Sequence, residues 1–276
     1  MSRVMIQSAV TMGQLQQKLN SIGNNLSNVN TPGYKSRQTD FSSLLFQQID
    51  HMSDETEQVG RQTPEGIRIG SGARLAHTNI DLSQGSFQQT DRELDIALPE
   101  DNHMFQVQMP TENGTETRYT RAGNFYLNTV NDNELMITNG DGYPILGEDG
   151  PIILDGNMDD LSISENGDIV VTRNGERNVE GRLETVEAVR PRMLESAGNN
   201  TFRLQDPEAL GFDPDEIIAD IPVDEQVFQS GTLEQSNVDQ AKQMTDMLNV
   251  QRSYQFNARS ISTSDQMMGL VNQLRS

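Results

Sequence analysis

Cysteine and tryptophan are both absent from the 276 residues. Without thiols there is neither a disulfide framework nor a thiolate metal site. Aromatic residues make up only 5% and hydrophobic residues 34% of the chain. Such a chain can fold, but not around a rich core. Long apolar runs are missing too. No stretch approaches the roughly 18 apolar residues of a membrane-spanning helix, so membrane insertion is not expected. The opening segment Met1-Ser2-Arg3-Val4-Met5-Ile6-Gln7-Ser8-Ala9-Val10 breaks its apolar run at Gln7 and Ser8. It lacks the uninterrupted apolar region of a cleavable secretory signal. The chain is therefore expected in the cytoplasm, or exported by a route that leaves no such signal.

Histidine is scarce: His51, His77 and His103 are scattered and match no helical metal pair. There is no phosphate-binding loop, no Gly-x-Ser-x-Gly elbow and no zincin motif. Asp155-Gly156-Asn157-Met158-Asp159 starts like a calcium loop, but Asp160 stands where Gly is required and Asn166 where Glu closes the ligand set. It reads as an acidic turn. Acidic pairs such as Asp159-Asp160 suit glycosidase chemistry in principle, but among 41 acids they identify nothing. Asn25-Leu26-Ser27 fits a glycosylation sequon by coincidence, since it lies within a helix pattern. The sequence thus points to a non-enzyme with no cofactor and no metal.

What the chain has in excess is negative charge, −21 net, and its placement is uneven. Residues 1–50 set Arg3, Lys18, Lys35 and Arg37 against Asp40 and Asp50. Residues 236–276 set Lys242, Arg252, Arg259 and Arg275 against Asp239, Asp246 and Asp265. Both ends are slightly basic, so the middle carries the whole acidic excess. Near-neutral ends can stack side by side, whereas an acidic middle stays solvated and argues against nucleic acid as a partner.

The ends also carry helical periodicity. Met5, Met12, Leu15, Leu19, Ile22, Leu26 and Val29 step by sevens, threes and fours, with one vacant step at Ser8 or Ala9. That narrow stripe is the pattern of a coiled-coil seam. It stops at Asn28–Gly33, where Pro32 bars helical geometry at Thr31 and Gly33 supplies the positive φ of a type II turn. At the other end, Ser236-Asn237-Val238-Asp239 resembles a capping box. Val238, Ala241, Met244, Leu248, Tyr254, Ala258, Ile261, Met268 and Val271 follow at threes and fours, with Gln251 and Asp265 in the gaps. Residues 237–274 would form a rod of roughly 57 Å. Either two helices pack on one globular core, or they form a layer built between subunits.

Between the ends, residues 50–70 are polar and punctuated by Thr63-Pro64-Glu65-Gly66, the composition of a linker or extended arm. Residues 71–230 are strand-rich. Asn113-Gly114, Asn166-Gly167 and Asn174-Gly175 are hairpin signals, and Ile163, Ile169, Val171, Tyr119, Phe125 and Leu127 mark strands. Asp206–Pro222 reads as a loop. The expected fold class is α+β: paired long terminal helices, coiled-coil-like and assembling between subunits, around a β-rich middle. The boundaries are 1–30, 31–70, 71–230 and 231–276. A fragment of about 71–230 is expected to be soluble, β-rich and monomeric.

Asn24-Asn25-Leu26-Ser27-Asn28-Val29-Asn30-Thr31-Pro32-Gly33-Tyr34-Lys35 resembles the segment that closes the first helix in the bacterial flagellar rod and hook family, with Ser27 where that family often has Ala. Gly231-Thr232-Leu233-Glu234-Gln235-Ser236-Asn237-Val238-Asp239, Gln251-Arg252-Ser253-Tyr254-Gln255 and Ser262–Met268 are similar to its C-terminal pattern. Leu94–Leu98, Tyr119-Thr120-Arg121-Ala122-Gly123-Asn124-Phe125 and Gly140–Leu146 are similar to its middle. Gly66–Arg74 and Gln84–Thr90 look most like the distal-rod branch and its Gram-positive paralogues. His103-Met104-Phe105 departs from the family pattern.

The resemblance implies a structural subunit of the flagellar basal-body rod. It would be exported by the flagellar apparatus without a cleaved signal and polymerise with itself and other rod or hook subunits into a hollow helical tube that carries torque. Head-to-tail contacts that do not close generate such a polymer, and terminal segments poorly ordered in the monomer would become helical on assembly. The interface residues expected are Met12, Leu15, Leu19, Ile22, Leu26 and Val29 on the first helix. On the last they are Val238, Ala241, Met244, Leu248, Tyr254, Ala258, Ile261, Met268 and Val271. The signature turn is Asn24, Asn25, Asn28, Asn30, Thr31, Pro32, Gly33 and Tyr34. The rival reading is a soluble, non-enzymatic binding or scaffold module whose terminal helices pair within one chain.

Overall fold

The computed structural model describes residues 2–43, 46–49, 67–70, 73–111, 114–131, 133–204, 211 and 213–275. Two compact units emerge. One comprises Met1–Leu26, Arg37–Asn79 and Gln240–Ser276; the other comprises Ser27–Ser36 and Ile80–Asp239. Residues 50–66, most of the expected arm and including Thr63–Gly66, lie outside the described residues, as does Asn113 of one expected hairpin turn.

The first unit holds both long helices, Ser2–Ser27 and Gln240–Arg275. Leu15, Ile22 and Val250 are buried together, with Leu19, Met247 and Tyr254 packed against them. On the first helix the expected stripe faces inward, and Ser8 takes the vacant step: it is buried while Ala9 is exposed. The helix ends at Ser27, so Val29, expected on the helix, sits in the turn beyond it.

The C-terminal stripe behaves differently. A three-residue step falls about 60° short of a full turn and a four-residue step gains about 40°. The expected stripe uses mostly threes, so it winds around the helix. Tyr254, Ala258, Ile261 and Met268 are half-buried, whereas Ala241, Met244, Leu248 and Val271 are exposed. The inward stripe is instead Met247, Val250, Tyr254, Ile261 and Met268. Met244, Leu248, Phe256, Met267, Leu270 and Leu274 are exposed and centre roughly half a turn away. The helix starts at Gln240 rather than at Ser236, and Val238 is buried ahead of it.

The same unit contains paired arm strands. Arg37–Ser43 lies beside Ala73–Ile80, and Phe46–Ile49 pairs antiparallel with Ile67–Gly70. Arg37–Ser43, Phe46–Ile49 and Ile67–Gly70 fall within the expected extended arm and are paired strand.

The second unit is built on a six-stranded antiparallel sheet. Its spatial order is Leu194–Gly198, Thr201–Leu204, Gly114–Thr120, His103–Thr111, Thr185–Ala188 and Ile218–Asp220. Period-two alternation puts neighbours of one strand on opposite faces. Phe105, Val107 and Met109 join a core with Phe125, Ile137, Ile169 and Phe228, while Met104 joins a second core with Tyr119, Val186, Phe202 and Ile217. Phe105 meets Phe125 edge-on at 4.9 Å. Two three-stranded sheets, with central strands Glu134–Thr138 and Asp168–Arg173, complete the first core.

Asn174-Gly175 turns one hairpin with φ of 52° and 84°, the primed geometry its sequence announces. Gly167 turns its neighbour at φ 83°. Asn199-Asn200 makes a further turn of positive φ, 49° and 53°, which no Asn-Gly pair signals. Asp206–Pro222 is not simply a loop. Residues 206–210 and 212 lie outside the described residues, but Ile218–Asp220 pairs with Val186–Ala188 because Ile217 and Ile218 have core to fill.

Candidate functional site

Three segments far apart in sequence converge in the second unit: the turn after the first helix, Arg121-Ala122-Gly123, and the approach to the last helix. The turn forms as its sequence requires. Tyr34 N–H donates to the Thr31 carbonyl at 3.3 Å, which places Pro32 and Gly33 at the two central positions, and Gly33 has φ +64°. Thr31 N–H donates to the Asn28 carbonyl at 3.1 Å and its hydroxyl to Asn28 Oδ1 at 3.2 Å. Asn200 Nδ2 donates to the Pro32 carbonyl at 3.0 Å.

Gly33 has a second constraint. Its N–H donates to the Glu234 carbonyl at 2.8 Å, and a Cβ there would lie 2.4 Å from the Arg121 carbonyl oxygen. The turn is pressed directly on another backbone segment.

Beyond it lie three charged side chains sealed from solvent. Lys35, Arg121 and Glu234 are 1%, 2% and 3% exposed. Lys35 Nζ donates to Glu234 Oε1 at 2.7 Å, the Ser83 carbonyl at 2.7 Å and the Leu82 carbonyl at 3.0 Å. Arg121 Nε donates to Glu234 Oε2 at 2.7 Å. Its terminal nitrogens donate to the carbonyls of Glu100, His103 at 2.6 Å and Leu98 at 2.8 Å. Gly85 N–H gives Glu234 Oε1 a further bond at 2.8 Å. A buried ion costs several kcal/mol unless paired and hydrogen-bonded, and here Lys35 makes three such bonds and Arg121 four. Burial pulls the Lys35 ammonium below its ordinary value of 10.5, with Glu234 as the first opposing influence and Arg121 adding to the downward pull. Three acceptors at Nζ call for three N–H donors, which only the charged ammonium supplies.

Two asparagines fix the chain on either side. Asn25, 1% exposed, donates from Nδ2 to the Arg37 carbonyl and accepts the Arg37 N–H at Oδ1, both at 2.9 Å. Its side-chain amide thus pairs with both backbone groups of Arg37. Asn237 accepts the Ser36 N–H at 2.7 Å and donates to the carbonyls of Asp81 at 2.8 Å and Ser83 at 2.9 Å. That commitment explains why the expected cap at Ser236–Asp239 does not start the helix.

Of the expected turn residues, Asn25, Gly33 and Tyr34 are buried, Asn28, Thr31 and Pro32 half-buried, and Asn24 and Asn30 exposed. Of the expected interface residues, Leu15 and Ile22 are brought together with Leu19 and Tyr254, while Met12 and Leu26 are half-buried. Lys35, Arg121 and Glu234 escaped the sequence reading as site residues. One signal was available: Lys35 and Arg121 are the single charges of Asn24–Lys35 and Tyr119–Phe125, whereas Glu234 shares its motif with Asp239.

Asp155 and Asp159 spend carboxylate oxygens on Asn133 Nδ2 and the Asn174 N–H, each at 2.7 Å, as members of turns. No group of three or more His, Asp or Glu suited to a metal occurs among the described residues. Among them, no helix is long and apolar enough to cross a membrane.

Comparison with known proteins matches the same three regions. Residues 8–35 fit the family described as flagella basal body rod protein, 100–171 the flagellar hook protein FlgE/F/G D1 domain, and 229–274 the flagellar basal body rod FlgEFG protein C-terminal family. The chain is 39% identical over 280 residues to the flagellar hook-basal body complex protein FlhP of Bacillus subtilis, covering 100% of both chains. It is 34% identical to the flagellar basal-body rod protein FlgG of the same organism, over 95% of each, and 34% identical to FlgG of Buchnera aphidicola from Acyrthosiphon pisum, over 94% of each. With identity of this order along the full length, the chain belongs to the flagellar basal-body rod FlgE/F/G family.

Proposed function

We propose that this member of a structural flagellar basal-body family is a distal-rod-like subunit. It polymerises with copies of itself and joins other rod or hook subunits in a hollow tube that transmits torque and passes exported proteins. It reaches that site through the flagellar export apparatus, without a cleaved signal, and works as a structural element rather than an enzyme.

The observation that supports this reading is the second apolar face of the last helix. Met244, Leu248, Phe256, Met267, Leu270 and Leu274 are 44–90% exposed, and all but Met244, which sits on the flank, lie on the side away from Val250 and Tyr254. A fully buried leucine-sized side chain is worth about 1.5–3 kcal/mol, so this stripe favours contact with neighbours. The helix pair inside the chain, with Leu15, Ile22 and Val250 buried, is what a self-contained scaffold module would also have. That module has no use for the outer stripe.

Electron microscopy of concentrated protein separates the two. The wild-type chain is expected to form rods or short stacks. Leu248→Asp/Leu270→Asp is expected to stay monomeric, with unchanged helical circular dichroism and no motility when it replaces the native copy. A motile double variant would refute the outer face as the assembly surface. A chain that stays monodisperse at every concentration, in a strain that still swims without it, would favour the scaffold module.

A further inference from the structure

The charged centre does more than stabilise one loop, because its three members come from the two routes out of the β-rich unit and from its interior. Lys35 lies 199 residues from Glu234 in sequence, and Arg121 lies 113 residues from it. We propose that Lys35, Arg121 and Glu234 form a charge latch: the β-rich unit closes only when the segment after the first helix and the segment before the last are both seated. This holds whether or not the protein builds a rod.

Glu234 is the hub. One oxygen takes Lys35 and the Gly85 N–H, and the other takes Arg121. Its own carbonyl takes the Gly33 N–H. The strand that carries it, Thr232–Glu234, pairs with Phe87–Gln89. One residue therefore engages the turn, the interior arginine and the strand at 87–89 at the same time.

With Glu234 absent, two cations would be left in a closed site with no anion between them. Like charges at this separation repel in a low dielectric, and each retains its desolvation cost. The site then favours opening until water reaches the cations. Loss of Lys35 alone is less severe, since Arg121 and Glu234 still neutralise each other.

The test uses the full-length chain and amide hydrogen exchange. Glu234→Gln keeps the shape and removes the charge. It is expected to raise the opening equilibrium at least ~100-fold, the scale of breaking a buried ion pair. The effect should reach residues 34–37, 81–85 and the strands at 103–120. Lys35→Met is expected to raise it ~10-fold or less, because an Arg–carboxylate pair remains.

The double variant Lys35→Met/Glu234→Gln restores the wild-type net buried charge. It is expected to recover at least ~10-fold of the protection lost in Glu234→Gln, as strongly coupled pairs do in a double-mutant cycle. Additive effects would overturn the latch. So would faster exchange confined to residue 85 and residues 232–236. Should Glu234→Gln fail to fold, a folded double variant sustains the proposal and an unfolded one overturns it.

Discussion

Replacing Gly33 tests whether the turn's close approach to Arg121 helps to hold the fold. Two costs are separable there. The first is the backbone: φ is +64°, and an L residue in that region loses about 1–2 kcal/mol. The second is contact, because an added Cβ would sit 2.4 Å from the Arg121 oxygen, 2.5 Å from its carbonyl carbon and 2.6 Å from the Ala122 nitrogen. These are backbone atoms and cannot swing aside as a side chain can.

Gly175 is the matched control. It has φ +84° and nothing within 4 Å of an added Cβ. Gly175→Ala is expected to cost the first amount only, about 1–2 kcal/mol. Gly33→Ala must also displace the backbone that holds Arg121 against Glu234, so it should cost at least about 3 kcal/mol, the scale of a disrupted buried ion pair. At ~2–4 °C per kcal/mol for a unit of this size, the Gly33 variant should melt roughly 6–12 °C below wild type and clearly below the control. Gly33→Val should be worse and should impair swimming more than Tyr34→Phe, with export assayed separately. Urea and thermal unfolding followed by far-ultraviolet circular dichroism give the numbers. Equal losses for Gly33→Ala and Gly175→Ala would show that the close approach to Arg121 carries no energy and would refute this reasoning.

Asn25→Ala removes two hydrogen bonds to Arg37 and should destabilise the start of the arm by about 1–3 kcal/mol, read as faster exchange in residues 37–43 with the core of residues 103–120 unaffected. A fragment of residues 27–239 keeps Lys35, Arg121 and Glu234 and should resist protease. A 71–230 fragment keeps Arg121 alone of the three and should be cut faster; equal resistance would remove any role for the two missing charges. Leu19→Asp puts a carboxylate beside Leu15, Ile22 and Val250 and should abolish motility while the β-rich unit stays protected, so a motile strain would exclude the helix pair from assembly. Burial holds His103 below its ordinary 6.5, opposed by Glu100 and then Glu187, with Arg121 adding a smaller downward push. From that lowered value up to about 6.5 the unfolded chain binds a proton that the folded one refuses, so stability should rise with pH and level off above it. His103→Gln should flatten that rise in urea midpoints, and an unchanged slope would assign it to other groups.

Local rules in the sequence determined the elements whose cause is local. Pro32-Gly33 announced its turn because only a residue without Cβ takes positive φ freely after proline. Asn174-Gly175 announced its hairpin because Asn and Gly are the residues that best accept the two positive φ values of a primed turn. The stripe at Leu15, Leu19 and Ile22 announced a buried face, since side-chain spacing alone decides which residues share a helix side.

Tertiary structure decided the rest. It split the apolar residues of the last helix between two faces, because that helix is apolar on both sides and periodicity cannot say which side meets the first helix. It delayed that helix to Gln240, because Asn237 found partners at Ser36, Asp81 and Ser83. It turned part of a presumed acidic loop into the edge strand Ile218–Asp220. Above all it brought Lys35, Arg121 and Glu234 together. Their place in a motif does not say that they are buried, and a buried charge is tolerated only where partners far away in sequence arrive to meet it.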